Sequence, residues 1–255
     1  MSRTLMFSVL ILLLPEHWRL SANDFPSVVS AASFAPGALA PLEIVTMFGN
    51  NLAAAPVASF APLPPPILGG VTVTVTDSSG KSAAAPLYYV SPNQINLEIP
   101  DGTAIGAGSL TLTRSDGTTV HVTVQFANTA PGVFQLNASA LAAAQVVQSV
   151  NGENHFAQVY QLGPSNTIVP QPIDLSQGQA YLAIYGTGIR SATNVTATVG
   201  ELPVPVVYRG AQDIYAGEDQ VNVGPLPQSL AGRGAVDIVL TVDGQKANAT
   251  NVTFK

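Results

Sequence analysis

The chain has 255 residues, 47% hydrophobic and only 9% charged, with a formal net charge of −6 and no cysteine. That content fills real cores but replaces the roughly 25% charge of an average soluble protein with a surface of Thr, Ser, Asn and Gln. It excludes disulfides, thiol catalysis and thiolate metal ligation, and the scattered basic residues exclude nucleic-acid binding and adhesion to anionic lipid.

Residues 1–22 read as a secretory signal. Arg3 supplies the positive start, Leu5 to Leu14 (LMFSVLILLL) the apolar run, Pro15 a break and Ala22 a small residue for cleavage. The run is shorter than the roughly 20 residues of a membrane span. The expected product is exported to the cell surface, periplasm or exterior, with no integral membrane span after signal removal. The competing reading is a buried N-terminal helix of the domain itself, and the charged stretch Glu16 to Arg19 is unusual for a signal.

Beyond Asp24 the pattern is alternation rather than helical period. Residues 53–68 (AAAPVASFAPLPPPIL) form a Pro-rich stretch that reads as a stiff covering loop. Val71 to Thr76 (VTVTVT) alternates throughout, as a strand with one buried face must. Ser109 to Thr113 and Val120 to Val124 flank Asp116-Gly117 and predict a hairpin. Ala140 to Ala144 allows a local helical turn. Ala235 to Val242 and Ala247 to Phe254 flank Asp243-Gly244 and predict the same hairpin again.

The hairpins belong to a longer internal repeat. Pro41 to Leu52 resembles Gly178 to Ile189, and Val71 to Val75 resembles Val195 to Val199. Ala85 to Val90 resembles Val204 to Arg209, and Gln94-Ile95-Asn96 resembles Gln220-Val221-Asn222. The order is the same in both halves. The expected fold is all-β, two tandem immunoglobulin-like sandwiches over residues 26–129 and 130–255, meeting near Thr129 to Gly132. Phe48 and Tyr185 should be equivalent and buried.

Four segments carry a family resemblance: Ser27 to Gly37 (SVVSAASFAPG), Phe48 to Leu52 (FGNNL), Tyr89 to Asn96 (YVSPNQIN) and Ala130 to Phe134 (APGVF). Together they resemble the Solibacter-type uncharacterised C-terminal domain family of exported acidobacterial proteins. Each half is similar to the IPT/TIG group of immunoglobulin-like domains. The resemblance spans about residues 26–255, matches poorly over 136–175, and implies a sandwich pair with no catalytic activity, no cofactor and no defined ligand.

The residues carry little catalytic chemistry. Of the histidines, His121 lies on a strand with its side chain outward and His155 follows the turn Gly152 to Asn154; neither joins a nucleophile elbow. Glu218-Asp219 with Asp213 is the one dense acidic group, without the Asp-x-Asp-x-Asp spacing of a calcium loop, and reads as a solvated loop. Gly186-Thr187-Gly188 reads as a tight turn rather than a phosphate site.

The candidate binding segment comes from comparing the halves. Eleven residues separate Tyr208 from Gln220, against four between Tyr89 and Gln94, a seven-residue insertion. It holds Arg209, Asp213, Tyr215, Glu218 and Asp219, and insertions in sandwiches fall in loops where recognition occurs. Tyr215 offers a rigid apolar face with a polar tip; the competing role is packing across the end of its own sandwich or on the first. The expected function is a non-catalytic binding or adhesion module for a protein or glycan. The alternatives are a structural spacer or assembly domain and, less well supported, a carbohydrate-active enzyme.

Overall fold

The structure is a computed structural model that describes residues 26–255. The segment 1–22, read above as a secretory signal, lies outside the described residues. The protein is all-β: short 3₁₀ turns at Pro164–Asn166 and Gln228–Leu230 are the helical elements among the described residues. Contacts divide it into two compact units. One runs to Ala130 and includes Asp213–Gly217; the other holds Pro131–Gln212 and Glu218–Lys255.

The first unit contains β1 (Ser27–Ser30), β2 (Ile44–Phe48), β3 (Val57–Ala58), β4 (Thr72–Thr76), β5 (Ser82–Ala84), β6 (Leu87–Val90), β7 (Gln94–Glu98), β8 (Gly106–Thr113) and β9 (Thr119–Phe126). They form a five-stranded sheet in the order β1-β2-β7-β6-β3 and a four-stranded sheet in the order β5-β4-β8-β9. Alternation explains the packing. Val73 and Val75 of β4 and Leu110 and Leu112 of β8 point inward to meet Val45, Met47, Ile95 and Leu97 of the facing sheet. The Thr residues between them stay partly exposed on the outer face. The Asp116-Gly117 turn joins β8 to β9 as expected, with Gly117 at φ 83.

The second unit contains β10 (Gly132–Val133), β11 (Ala144–Val150), β12 (Glu153–Gln158), β13 (Tyr160–Leu162), β14 (Ile168–Pro170), β15 (Gln179–Thr187), β16 (Val195–Val199), β17 (Leu202–Val204), β18 (Val206–Ala211), β19 (Asp219–Val223), β20 (Gly234–Val242), β21 (Gln245–Lys246) and β22 (Thr250–Phe254). One sheet has the order β12-β11-β15-β19-β18, with β10 also on β15; another runs β17-β16-β20-β21, with β22 also on β20. Their core includes Val146, Leu182, Ile184 and Val221 from the first and Val199, Ile238, Leu240 and Val252 from the second.

The pairing registers repeat between the units. Phe48 pairs Gln94 and Thr46 pairs Asn96, while Tyr185 pairs Gln220 and Ala183 pairs Asn222. A register shift falls between Leu87 and Tyr89 on β6 and between Val206 and Tyr208 on β18. The Gln-x-Asn motif has the same use in both. Gln94 Nε2 donates to Asn96 Oδ1 at 2.9 Å, and Gln220 Nε2 donates to Asn222 Oδ1 at 2.8 Å.

Four local expectations change. Ala140 to Ala144 is not helical: Ala140 has φ 59, Leu141 and Ala142 sit in β-bridges and Ala144 opens β11. The turn before His155 is Asn151-Gly152, and Glu153 and Asn154 already belong to β12 with His155. The hairpin arm after Asp243-Gly244 is interrupted, so β20 pairs β21 and then β22. Tyr185 is buried but Phe48 is only partly so, set against Phe34 with ring centroids 6.5 Å apart. The poorly matched stretch 136–175 holds two added hairpins, β11–β12 and β13–β14.

Candidate functional site

The insertion spans the last three residues of β18, the connection 212–218 and Asp219, the first residue of β19. Its residues do not act as one group. Arg209, at the end of β18, donates from Nε to the Ala192 carbonyl at 3.1 Å and from Nη2 to the Thr193 carbonyl at 2.7 Å. The turn it grips is held again by Asp243, whose carboxylate accepts from the backbone N–H groups of Thr193 and Asn194 at 3.0 and 2.8 Å. These bonds keep the Asp243 carboxyl below its ordinary range, with Arg209 adding to the effect.

Asp213–Gly217 belong to the first unit. The Tyr88 hydroxyl donates to the Ala216 carbonyl at 2.6 Å and lies 2.9 Å from Glu98 Oε2. Gly217 has φ 72, and a Cβ there would lie 2.5 Å from Ile44 Cγ1 and 2.9 Å from Glu98 Oε2. The main chain is thereby fixed on β2, β6 and β7, and only glycine fits. Asp213 and Ile214 are exposed, Ile214 by 60%, and Tyr215 is partly buried.

Glu218 and Asp219 are the surprise. They form no solvated loop: relative exposures are 1% and 0%. Asp219 Oδ2 accepts from the backbone N–H of Ile189 at 2.6 Å and of Arg190 at 3.0 Å, and Oδ1 pairs with Arg190 Nε. Arg190 Nη2 also donates to the Glu218 carbonyl at 2.9 Å. Burial pushes the Asp219 carboxyl up, and Arg190 with the two N–H groups opposes it. The Glu218 carboxyl has no hydrogen bonds to help it. Neither carboxyl oxygen has a hydrogen-bond partner, and burial, reinforced by the Asp219 charge, pushes its pKa up to about 8 against the pull of Arg190.

Arg190 is the residue missed from sequence. It sits just past Gly186-Thr187-Gly188, the stretch read as a tight turn, and its partner Asp219 lies far along the chain. Gly186 and Thr187 are the last residues of β15 rather than a turn; the chain turns at Gly188, with φ 71, and so presents the Ile189 and Arg190 N–H groups to one buried carboxylate. Among the described residues no group of three or more His, Cys, Asp or Glu is placed to hold a metal ion.

Besides Ile214, and Val207 and Tyr208 on β18, further exposed apolar side chains lie away from the insertion. Phe60, Leu63 and Ile67 are 63%, 82% and 61% exposed on the Pro-rich connection from β3 to β4. The segment read as a covering loop therefore presents apolar groups to solvent. Among the described residues no helix is long and apolar enough to cross a membrane.

Fold and site together define an all-β, sandwich-type protein. No family model and no curated protein sequence matches the chain. Among solved structures, the Bacteroides ovatus mixed-linkage glucan utilization locus SGBP-B, in complex with a mixed-linkage heptasaccharide, aligns with 86% of this chain and 43% of its own at 14% identity and a TM-score of 0.28. The chain thus spans less than half of that protein's length, and a likeness this low carries no argument about function.

Proposed function

We propose that the chain is an exported, non-catalytic binding module built from two immunoglobulin-like sandwiches, and that it recognises a protein or glycan through its connecting segments. The observation that carries this reading is the set of exposed apolar side chains on one connection, Phe60, Leu63 and Ile67. Exposed apolar groups gathered on one segment mark interaction surfaces more often than isolated ones do. Arginines and carboxylates in the insertion and bonded around it support the non-catalytic half of the reading. Arg190, Arg209, Asp219 and Asp243 are all bonded within the fold. Glycoside hydrolysis needs two carboxyl groups facing one sugar, whereas Glu218 and Asp219 are adjacent and sealed from solvent.

The test is binding of the purified chain to a panel of cell-wall glycans and to secreted proteins of the same organism. Phe60→Ala/Leu63→Ala/Ile67→Ala should keep its melting temperature, since the three side chains are exposed, and lose at least about tenfold in affinity. Unchanged binding by the triple variant would place recognition elsewhere. The second reading, a structural spacer, is favoured by the internal use of the charged groups, and absence of binding across the panel would select it.

A further inference from the structure

We propose that β9 is a pairing edge at which two copies of this chain join antiparallel across a two-fold axis, doubling the β5-β4-β8-β9 sheet. The proposal goes beyond the ligand-binding reading and does not depend on it. Natural sheets blunt their edges with short strands, bulges, Pro or charge. Here β1, β3, β5, β17 and β21 are short, β18 carries a bulge and β12 carries Glu153. β9 has none of these devices. It runs eight residues, TVHVTVQF, without Pro, Gly, acid, Lys or Arg, and among the described residues it ends its sheet.

The backbone phase gives the register. Arg114 N–H donates to the Thr118 carbonyl across the turn, so Val120, Val122 and Val124 direct their N–H and C=O groups at β8. Thr119, His121, Thr123 and Gln125 direct theirs away from it. The Gln125 carbonyl is taken by the N–H of Leu39, which among the described residues is the one bridge on that side of β9. A partner strand therefore has the window Thr119 to Val124.

A two-fold axis perpendicular to a sheet pairs residues that point to the same face. With His121 on the axis, Thr119 of each copy meets Thr123 of the other, and about six backbone hydrogen bonds form. On the inner face Val120 meets Val122 of the other copy, covering valines that are only partly buried at this edge. Moving the axis to Val122 drives the partner against Leu39; moving it to Val120 forfeits a hydrogen-bonded pair. Charge agrees: the chain carries −6, and β9 offers two like-charged copies a contact free of charged side chains. One strand edge buries less than the roughly 1,200–2,000 Å² of a stable interface, so the dimer is reversible, in the micromolar to millimolar range.

Sedimentation equilibrium of the full chain from about 10 μM to about 1 mM should show monomer and dimer, and paired substitutions test the register. Thr119→Lys/Thr123→Lys sets like charges opposite each other twice and should weaken dimerisation at least about tenfold. Thr119→Lys/Thr123→Glu sets opposite charges there and should restore it to within about threefold of the natural chain. Within one copy the two positions stand about 13 Å apart along the strand and do not pair. Both positions are exposed, so both variants should fold, as circular dichroism will check; if the first does not, His121→Lys places like charges on the axis. A natural chain monomeric at the highest concentration, or Lys/Lys and Lys/Glu variants that behave alike, would overturn the proposal.

Discussion

A buried carboxyl group without a hydrogen bond is far cheaper to hold neutral than ionised. Glu218 is such a group, with its pKa raised from 4.5 to about 8 by burial first and the Asp219 charge second. The folded protein then keeps a proton that the unfolded chain releases, so the raised pKa makes stability fall as pH rises from about 4.5 towards about 8. Glu218→Gln keeps the shape and removes the titration. Its melting temperature should vary less between pH 5 and 8 than that of the natural protein, and should exceed it at pH 8 by the equivalent of a few kcal/mol. Thermal melts across that range check this; parallel curves would mean that Glu218 reaches water. Arg190 works in the other direction. Arg190→Met leaves the Asp219 carboxylate buried with only backbone donors and should cost about 3–5 kcal/mol in urea unfolding. Neither effect was legible in the sequence. Glu218-Asp219 reads locally as a polar loop, because residue type carries no information about a partner that strand pairing brings in from about thirty residues away, here Arg190 just past the neighbouring strand β15. The sequence points to Glu218 and Asp219 for recognition, whereas the fold uses Asp219 as an anchor and encloses Glu218.

At the scale of elements much more was legible. Alternation in Val71 to Thr76 and in Val120 to Val124 fixes which face is buried, and the matching positions of Gln94-x-Asn96 and Gln220-x-Asn222 carry the shared register of β2–β7 and β15–β19. Alternation reports a local period, so it does not reveal edge position, and β12, exposed along its whole length, went unread as a strand. The insertion was found as a length difference, but a length difference does not say what the extra residues touch. Gly217 does: its positive φ and the Ile44 and Glu98 atoms around it leave no room for a side chain. Gly217→Ala should therefore destabilise by about 1–3 kcal/mol. Replacing Asp213–Gly217 with Asn-Gly tests the element as a whole. Amide hydrogen exchange should then lose protection in β2, β6 and β7, where Tyr88 and Ile44 sit, while β16 and β20 retain theirs. Uniform protection would show that the segment only rests on the first unit.

At the scale of the molecule, two clusters of buried side chains account for the fold, one in each unit. Each uses few aromatic residues and relies on Val, Leu, Ile and Ala, which suits a chain with 7% aromatic content. The first unit is not one continuous stretch of sequence, because Asp213–Gly217 complete it. A fragment ending at Ala130 should accordingly melt below the transition assigned to the first unit in the intact chain, and scanning calorimetry of the two compares them. The same discontinuity bears on how the molecule is made. Synthesis delivers residues one after another, at about 5–20 per second. The strands of the first unit are all available once Phe126 has emerged, but the segment that receives the Tyr88 hydroxyl comes only after most of the second unit's strands. The early-born unit must wait for a piece of chain made late, and its final closure follows the synthesis of most of the second unit.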